Sequence, residues 1–162
     1  QSLERGGADF VVLCTNTMHK VAWEIQKMIS IPLLHIAEVT AQELNKQNIA
    51  RVALLGTSYT MEQDFYKNKL IEQGIDVLIP DQEDRDIVNH VIFNELCLGK
   101  ISGQSKKEYL RIIDQLSGQG AKGVILGCTE IGLLIKQADT SIPVFDTTKL
   151  HALQAVELAL GK

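Results

Sequence analysis

Six short apolar runs rich in Val, Ile and Leu, at 10–13, 33–36, 51–55, 75–79, 123–126 and 142–145, alternate with helical patterns along this chain. The helical patterns lie at roughly 18–29, 38–47, 61–73, 83–98, 105–117 and 148–160. Such a rhythm predicts an α/β fold with parallel strands and helices on the sheet faces. Short Val, Ile and Leu runs fit strands buried on both sides. Helix stops agree with this reading, since Gly74 precedes Ile75-Asp76-Val77 and Gly118 and Gly120 precede Gly123-Val124-Ile125. Pro32 and Pro143 stand at the starts of runs, where a missing N–H does least harm.

The pattern divides into two bodies. A crossing near 37–41 and a return near 146 would make 41–146 one αβ domain, with 1–40 and 147–162 belonging to another. The second body is too small to enclose much core by itself. The chain opens at Gln1, and Ser2-Leu3-Glu4-Arg5-Gly6-Gly7 reads as the tail of a helix. An N-terminal piece is therefore expected to be missing, leaving the run at 10–13 with unpaired backbone groups and an uncovered apolar face. Self-association, as in a homodimer, would cover it.

Composition narrows the function classes. A formal charge of −4 with no basic stripe gives no electrostatic footprint for nucleic acid. No apolar run approaches the roughly 18 residues that span a bilayer, and the longest, 123–135, is broken by Gly127, Thr129, Glu130 and Gly132. Three cysteines without Cys-x-x-Cys spacing match neither a disulfide framework nor a zinc ribbon. A soluble protein of the reducing cytoplasm is the expectation. The histidines at 19, 35, 90 and 151 show no metal spacing. Gly118-x-Gly120-x-x-Gly123 resembles a dinucleotide fingerprint, but it ends a helix and enters a strand, the reverse of what phosphate binding requires.

Two cysteines carry the chemistry. Cys14, in Gly7-Ala8-Asp9-Phe10-Val11-Val12-Leu13-Cys14-Thr15-Asn16-Thr17, and Cys128, in Gly120-Ala121-Lys122-Gly123-Val124-Ile125-Leu126-Gly127-Cys128-Thr129-Glu130, share one setting. Each follows an apolar run and precedes Thr and residues able to open a helix. Both thiols are thus placed at carboxyl ends of strands, where open α/β sheets hold ligands. A buried structural cysteine is the competing reading for either one alone. Helix N-termini beyond each sulfur are expected to favour thiolate. Thr15 and Thr129 add a hydroxyl beside each thiol, a cradle for a substrate carboxylate.

Asn16, Thr17 and Glu130 serve either as N-caps or as ligand contacts. The segment Leu55-Gly56-Thr57-Ser58-Tyr59-Thr60-Met61 is a third strand-end loop, read either as an anion nest or as a capped turn into a helix starting near Met61. His35 faces the same cleft or is a satisfied core histidine. His19 and His151 read as caps or surface groups. Asp84, Arg85 and Asp86 read as a solvated helix start, and Cys97 as a structural residue within a helix.

With Cys14-Thr15-Asn16-Thr17-Met18-His19-Lys20, Leu54-Leu55-Gly56-Thr57-Ser58-Tyr59-Thr60-Met61, Glu95-Leu96-Cys97-Leu98-Gly99, Gly127-Cys128-Thr129-Glu130 and Pro143-Val144-Phe145-Asp146-Thr147 on the page, the chain resembles the aspartate/glutamate racemase superfamily over essentially its whole length. Within it, the similarity is to the aspartate racemase and broad-specificity amino-acid racemase branch. The resemblance implies two pseudo-symmetric αβ domains closing over an amino acid, no pyridoxal phosphate, and Cys14 and Cys128 as paired acid and base. Substrate contacts are then expected from Thr15, Asn16, Thr17, Thr57, Tyr59, Thr60, Thr129 and Glu130. It also implies that about two strand–helix units of the first domain lie outside this chain, roughly 60 to 70 residues, so that the chain alone is expected to be inactive. The competing functions are a same-fold isomerase or decarboxylase with one working cysteine, or a non-catalytic protein that binds a small carboxylate.

Overall fold

The computed structural model describes residues 1–161. The apolar runs form two separate parallel sheets. The smaller pairs β1 (Val11–Val12) with β2 (Leu33–Leu34), Val11 opposite Leu33 and Val12 opposite Leu34. The larger contains β3 (Arg51–Gly56), β4 (Asp76–Leu78), β5 (Val124–Gly127) and β6 (Val144–Asp146), in the order β4-β3-β5-β6.

Around them lie α1 (Ser2–Arg5), a 3-10 turn at Thr17–Val21, α2 (Ala22–Lys27) and α3 (Ile36–Lys46). Then follow α4 (Ser58–Glu62), α5 (Asp64–Ile71), α6 (Gln82–Asn94) and α7 (Gly103–Gly118). The last are α8 (Ile131–Leu134) and α9 (Thr147–Ala159). No helix among the described residues is long and apolar enough to cross a membrane.

The larger sheet is buried on both faces, as its composition predicts. Successive side chains of a strand point to opposite faces. Ala53 and Leu55 of β3, opposite Val124 and Leu126 of β5, pack with Val88, Ile92, Tyr109 and Ile113. On the other face Leu54, opposite Ile125, packs with Leu44, Tyr66, Leu70 and Phe145. Leu54, Leu55, Ile125 and Leu126 are all buried to within 1%, each contributing about 1.5–3 kcal/mol relative to exposure. The Tyr109 hydroxyl, inside the first layer, donates to the Val88 carbonyl at 2.9 Å.

Several expected boundaries shift for local reasons. The run at 33–36 ends as a strand after Leu34 because the His35 imidazole caps α3, accepting from Ala37 N–H at 3.2 Å, and Ile36 becomes helical. The helix expected over 61–73 begins earlier, at Ser58, and breaks at Gln63, whose backbone is extended. α6 stops at Asn94, and Cys97 sits in a separate 3-10 turn at Leu96–Leu98, exposed rather than inside a helix. Asp84 is not a solvated group: it is 5% exposed and paired with Arg111 from α7.

Strand order places the site. From β3 the chain crosses to β4 on one side and then to β5 on the other, so the switch in direction falls between β3 and β5, where open sheets leave a crevice. Gly56 and Gly127 face each other there. A Cβ on Gly56 would stand 2.9 Å from the Gly127 carbonyl oxygen and 3.1 Å from Thr60 Cβ, so these strand ends meet only as glycines.

Candidate active site

Three loops converge beyond the ends of β1, β3 and β5. Cys14 follows β1 by one residue and is exposed, with its sulfur 3.9 Å from the Val12 carbonyl oxygen. The residues after it are fixed by three different elements. Asn16 Nδ2 donates to Thr147 Oγ1 at 3.1 Å, and Thr147 Oγ1 in turn donates to the Leu126 carbonyl at the end of β5. Thr17 Oγ1 lies 3.2 Å from Thr57 Oγ1. His19 Nδ1 lies 2.7 Å from the Thr15 carbonyl oxygen.

Cys128 is half-buried at the end of β5. Its S–H donates to Glu130 Oε2 at 2.9 Å, and Thr129 Oγ1 donates to the same oxygen at 2.6 Å. Burial first, and then this bond to a carboxylate, push the Cys128 thiol up to about 12. The expectation of a thiolate stabilised by a helix is therefore reversed at this cysteine. The reason is local: α8 is a single turn of four residues, while the Glu130 carboxylate stands directly on the sulfur. Burial works against the Glu130 charge, yet the donors on Cys128 and Thr129 hold its carboxyl below the usual range. Cys128 thus rests as a thiol hydrogen-bonded to a carboxylate.

The two thiols line separate, adjoining cavities. Cys128 opens on a cavity of about 290 Å³, walled by Asn16, Thr17, Thr57, Tyr59, Phe93 and Cys97 among others. Cys14 opens on one of about 310 Å³, walled by Val12, Ile36, Thr148, His151 and Ala155 among others. Thr15 and Thr129 belong to both, so each threonine that follows a cysteine forms the shared partition.

The remaining expected residues divide. Thr17, Thr57 and Tyr59 line the Cys128 cavity; Thr60 is fully buried, packs against Gly56 and Gly127, and lines neither cavity. The loop at 55–61 is a capped helix start, not an open nest. Ser58 N–H is taken by Asn89 Oδ1 at 3.0 Å and Thr60 N–H by the carbonyl of Thr57, whose hydroxyl also accepts from it. Glu130 precedes α8 without capping it, its carboxylate being spent on Cys128 and Thr129. Asn16, at the start of the 3-10 turn, likewise makes no cap bond. It is 3% exposed, and its Oδ1 has no hydrogen-bond partner while its residue lines the Cys128 cavity. A buried acceptor left open costs about 1–3 kcal/mol, which a donor on a bound molecule would recover.

Cys97, expected inside a helix, lines the Cys128 cavity from a 3-10 turn, and sequence reasoning misplaced two of the histidines. His19 and His151 are 2% and 4% exposed, neither surface groups nor caps, and His35 joins them at the core. Their spacing in the chain carries no signal of this. Only the fold brings 19, 35 and 151 together.

Comparison with known proteins adds the lineage. The model of the family described as Asp/Glu/hydantoin racemase matches residues 1–155. A broad specificity amino-acid racemase of Bacillus subtilis is 27% identical over 163 residues, which cover 98% of this chain and 68% of that protein. Among solved structures, a proposed Asp/Glu racemase from Yersinia pestis is 52% identical with a TM-score of 0.94, over 98% of this chain and 70% of that one. An aspartate racemase homologue from Pyrococcus horikoshii is 39% identical with a TM-score of 0.90, over the same shares of each chain. The parallel sheets, the strand-end cysteines and a family match spanning nearly the whole sequence agree, and the chain belongs to the Asp/Glu/hydantoin racemase family.

Proposed function

We propose that this chain carries the reacting groups of an amino-acid racemase that needs no cofactor, with Cys14 and Cys128 acting on opposite faces of the α-carbon. The observation that supports the reading is that the two strand-end thiols line adjoining cavities that share Thr15 and Thr129. In one direction Cys14, as thiolate, takes the α-proton. The electron pair stays on carbon until the Cys128 thiol delivers its proton to the other face. Cys128 is left as a thiolate, and Glu130, 2.9 Å away, is the group through which a proton returns to it. The reverse reaction exchanges the roles, with Cys128 as base and Cys14 as acid.

Binding follows from the wall chemistry. The open Asn16 Oδ1 suits an α-ammonium donor. Hydroxyls of Thr15, Thr17, Thr57 and Tyr59 supply donors for the α-carboxylate, where carbanion charge also collects. The free cysteines suit a reducing cytoplasm.

The experiment is solvent-deuterium incorporation at the α-carbon across a panel of L-amino acids, with the enantiomers resolved, in protein that also carries the first-domain strand–helix units expected above. Racemisation with exchange, lost by orders of magnitude in both Cys14→Ser and Cys128→Ser, is the expected outcome. Near-normal turnover by either variant refutes the two-thiol mechanism. Binding of an amino acid without exchange would make the chain a binding protein instead.

A further inference from the structure

The loop that carries Cys14 is held by a side chain that the chemistry above does not use. β1 and β2 are only two residues long, so the backbone beyond them has few sheet partners. Buried backbone polar groups there must be satisfied by other means. Three imidazoles do so. His151 Nε2, on α9, donates to the Leu34 carbonyl at 2.8 Å. His35 accepts from Ala37 N–H at the start of α3. His19 spans the gap between them, its ring centroid 4.6 Å from that of His35 and 5.8 Å from that of His151.

Both nitrogens of His19 are committed. Ile36 N–H can only donate, and it points to Nε2 at 3.1 Å, so Nε2 bears no hydrogen. The Thr15 carbonyl can only accept, and it lies 2.7 Å from Nδ1, so Nδ1 bears the hydrogen. Two backbone groups therefore fix one neutral tautomer and one ring orientation. Thr15 is at once the neighbour of Cys14 and half of the partition between the two cavities. Through His19 it is tied to Ile36, which also lines the Cys14 cavity.

We propose that His19, as its neutral Nδ1–H tautomer, is a positioning residue that sets the Cys14 thiol and Thr15 relative to the rest of the site. Its importance for turnover rests on the racemase reading; its effect on Cys14 does not. Protonation would place a second N–H against Ile36 N–H and break the tie. Burial, and then the neighbouring His151, oppose that charge. The charged groups that line the same cavity as His19 and His35 are Lys20, Glu38, Asp64, Lys69 and Glu72, with Glu38 and Lys69 ion-paired at 2.8 Å.

Two measurements test this without requiring turnover. Imidazole nitrogen shifts across a pH series should show His19 as Nδ1–H at pH 7 and uncharged at pH values where exposed histidine is protonated. An Nε2–H tautomer, or titration like that of a free histidine, overturns the proposal. Second, iodoacetamide alkylation is followed residue by residue by mass spectrometry in the wild type, His19→Phe and His19→Asn. Loss of both bonds in His19→Phe should change the Cys14 rate by about fivefold or more, the factor that a hydrogen bond of ordinary strength represents. The exposed Cys97 serves as the internal reference and should be unaffected. In His19→Asn an amide can still donate to Thr15, so its Cys14 rate should return toward the wild-type value. A folded His19→Phe with unchanged Cys14 reactivity overturns the proposal, and if that variant does not fold, the nitrogen shifts of the wild type decide. Loss of racemisation in the cysteine variants remains a separate test, so either idea can fail without the other.

Discussion

Replacing His35 with Asn should remove a measurable part of the acid sensitivity of the fold. His35 is 8% exposed, and burial first, then the neighbouring His19, lower its pKa from 6.5 to about 4. Glu38 raises it and Lys69 and His151 lower it further, but none of these outweighs burial. A histidine held neutral in the fold gives stability that is complete above the unfolded value of 6.5 and falls as the pH drops, because only the unfolded chain takes up the proton. The loss continues down to about pH 4, where the folded ring also protonates. Integrating between these two values gives a loss of about 2 kcal/mol at pH 5 and about 3 kcal/mol below pH 4, from a shift worth about 1.4 kcal/mol per pH unit. Asn is a good N-cap, so His35→Asn retains an acceptor for Ala37 N–H without the titration. Urea unfolding at pH 7, 6 and 5 should show the wild type losing about 2 kcal/mol more than His35→Asn over that range. Titrating groups remote from His35 cancel in the difference. Parallel losses in the two proteins would show that His35 titrates alike in the folded and unfolded chains, and the burial argument would fail.

Three further outcomes are expected. Glu130→Gln removes the carboxylate that raises the Cys128 thiol, so alkylation of Cys128 at pH 8 should accelerate by about tenfold, one pKa unit; an unchanged or slower rate would mean that Glu130 does not govern this thiol. Gly56→Ala drives a Cβ to 2.9 Å from a backbone carbonyl oxygen and should cost about 1–3 kcal/mol in urea unfolding, whereas a neutral substitution would show that the β3 and β5 ends can separate. Among the described residues lining the two cysteine cavities, Glu130 is the only one with a formal charge. Like charge in such a cleft is unfavourable, so kcat/KM for small neutral amino acids should exceed that for aspartate by about tenfold or more, and a strong aspartate preference would contradict the reading.

What was legible in the sequence was whatever depends on near neighbours. Val52-Ala53-Leu54-Leu55 and Val124-Ile125-Leu126 are apolar at every position, and a strand without a polar face has to be buried on both sides. A cysteine that follows a strand has to emerge at its carboxyl edge, which is where Cys14 and Cys128 stand. Tertiary structure alone decided which groups lose water and what they then bond. Asn16 meets Thr147 across 131 residues, and His151 meets Leu34 across 117. No local pattern could reveal that His19 meets both His35 and His151 edge-on in the interior, or that Cys97 walls the cavity of Cys128. The same cause reversed the expected acidity of Cys128: the sequence offered a helix start that would favour thiolate, but folding shortened that helix to one turn and placed the sulfur in a desolvated pocket against Glu130. Periodicity is written along the chain, whereas desolvation belongs to the packed whole and is set only when distant segments close over a group.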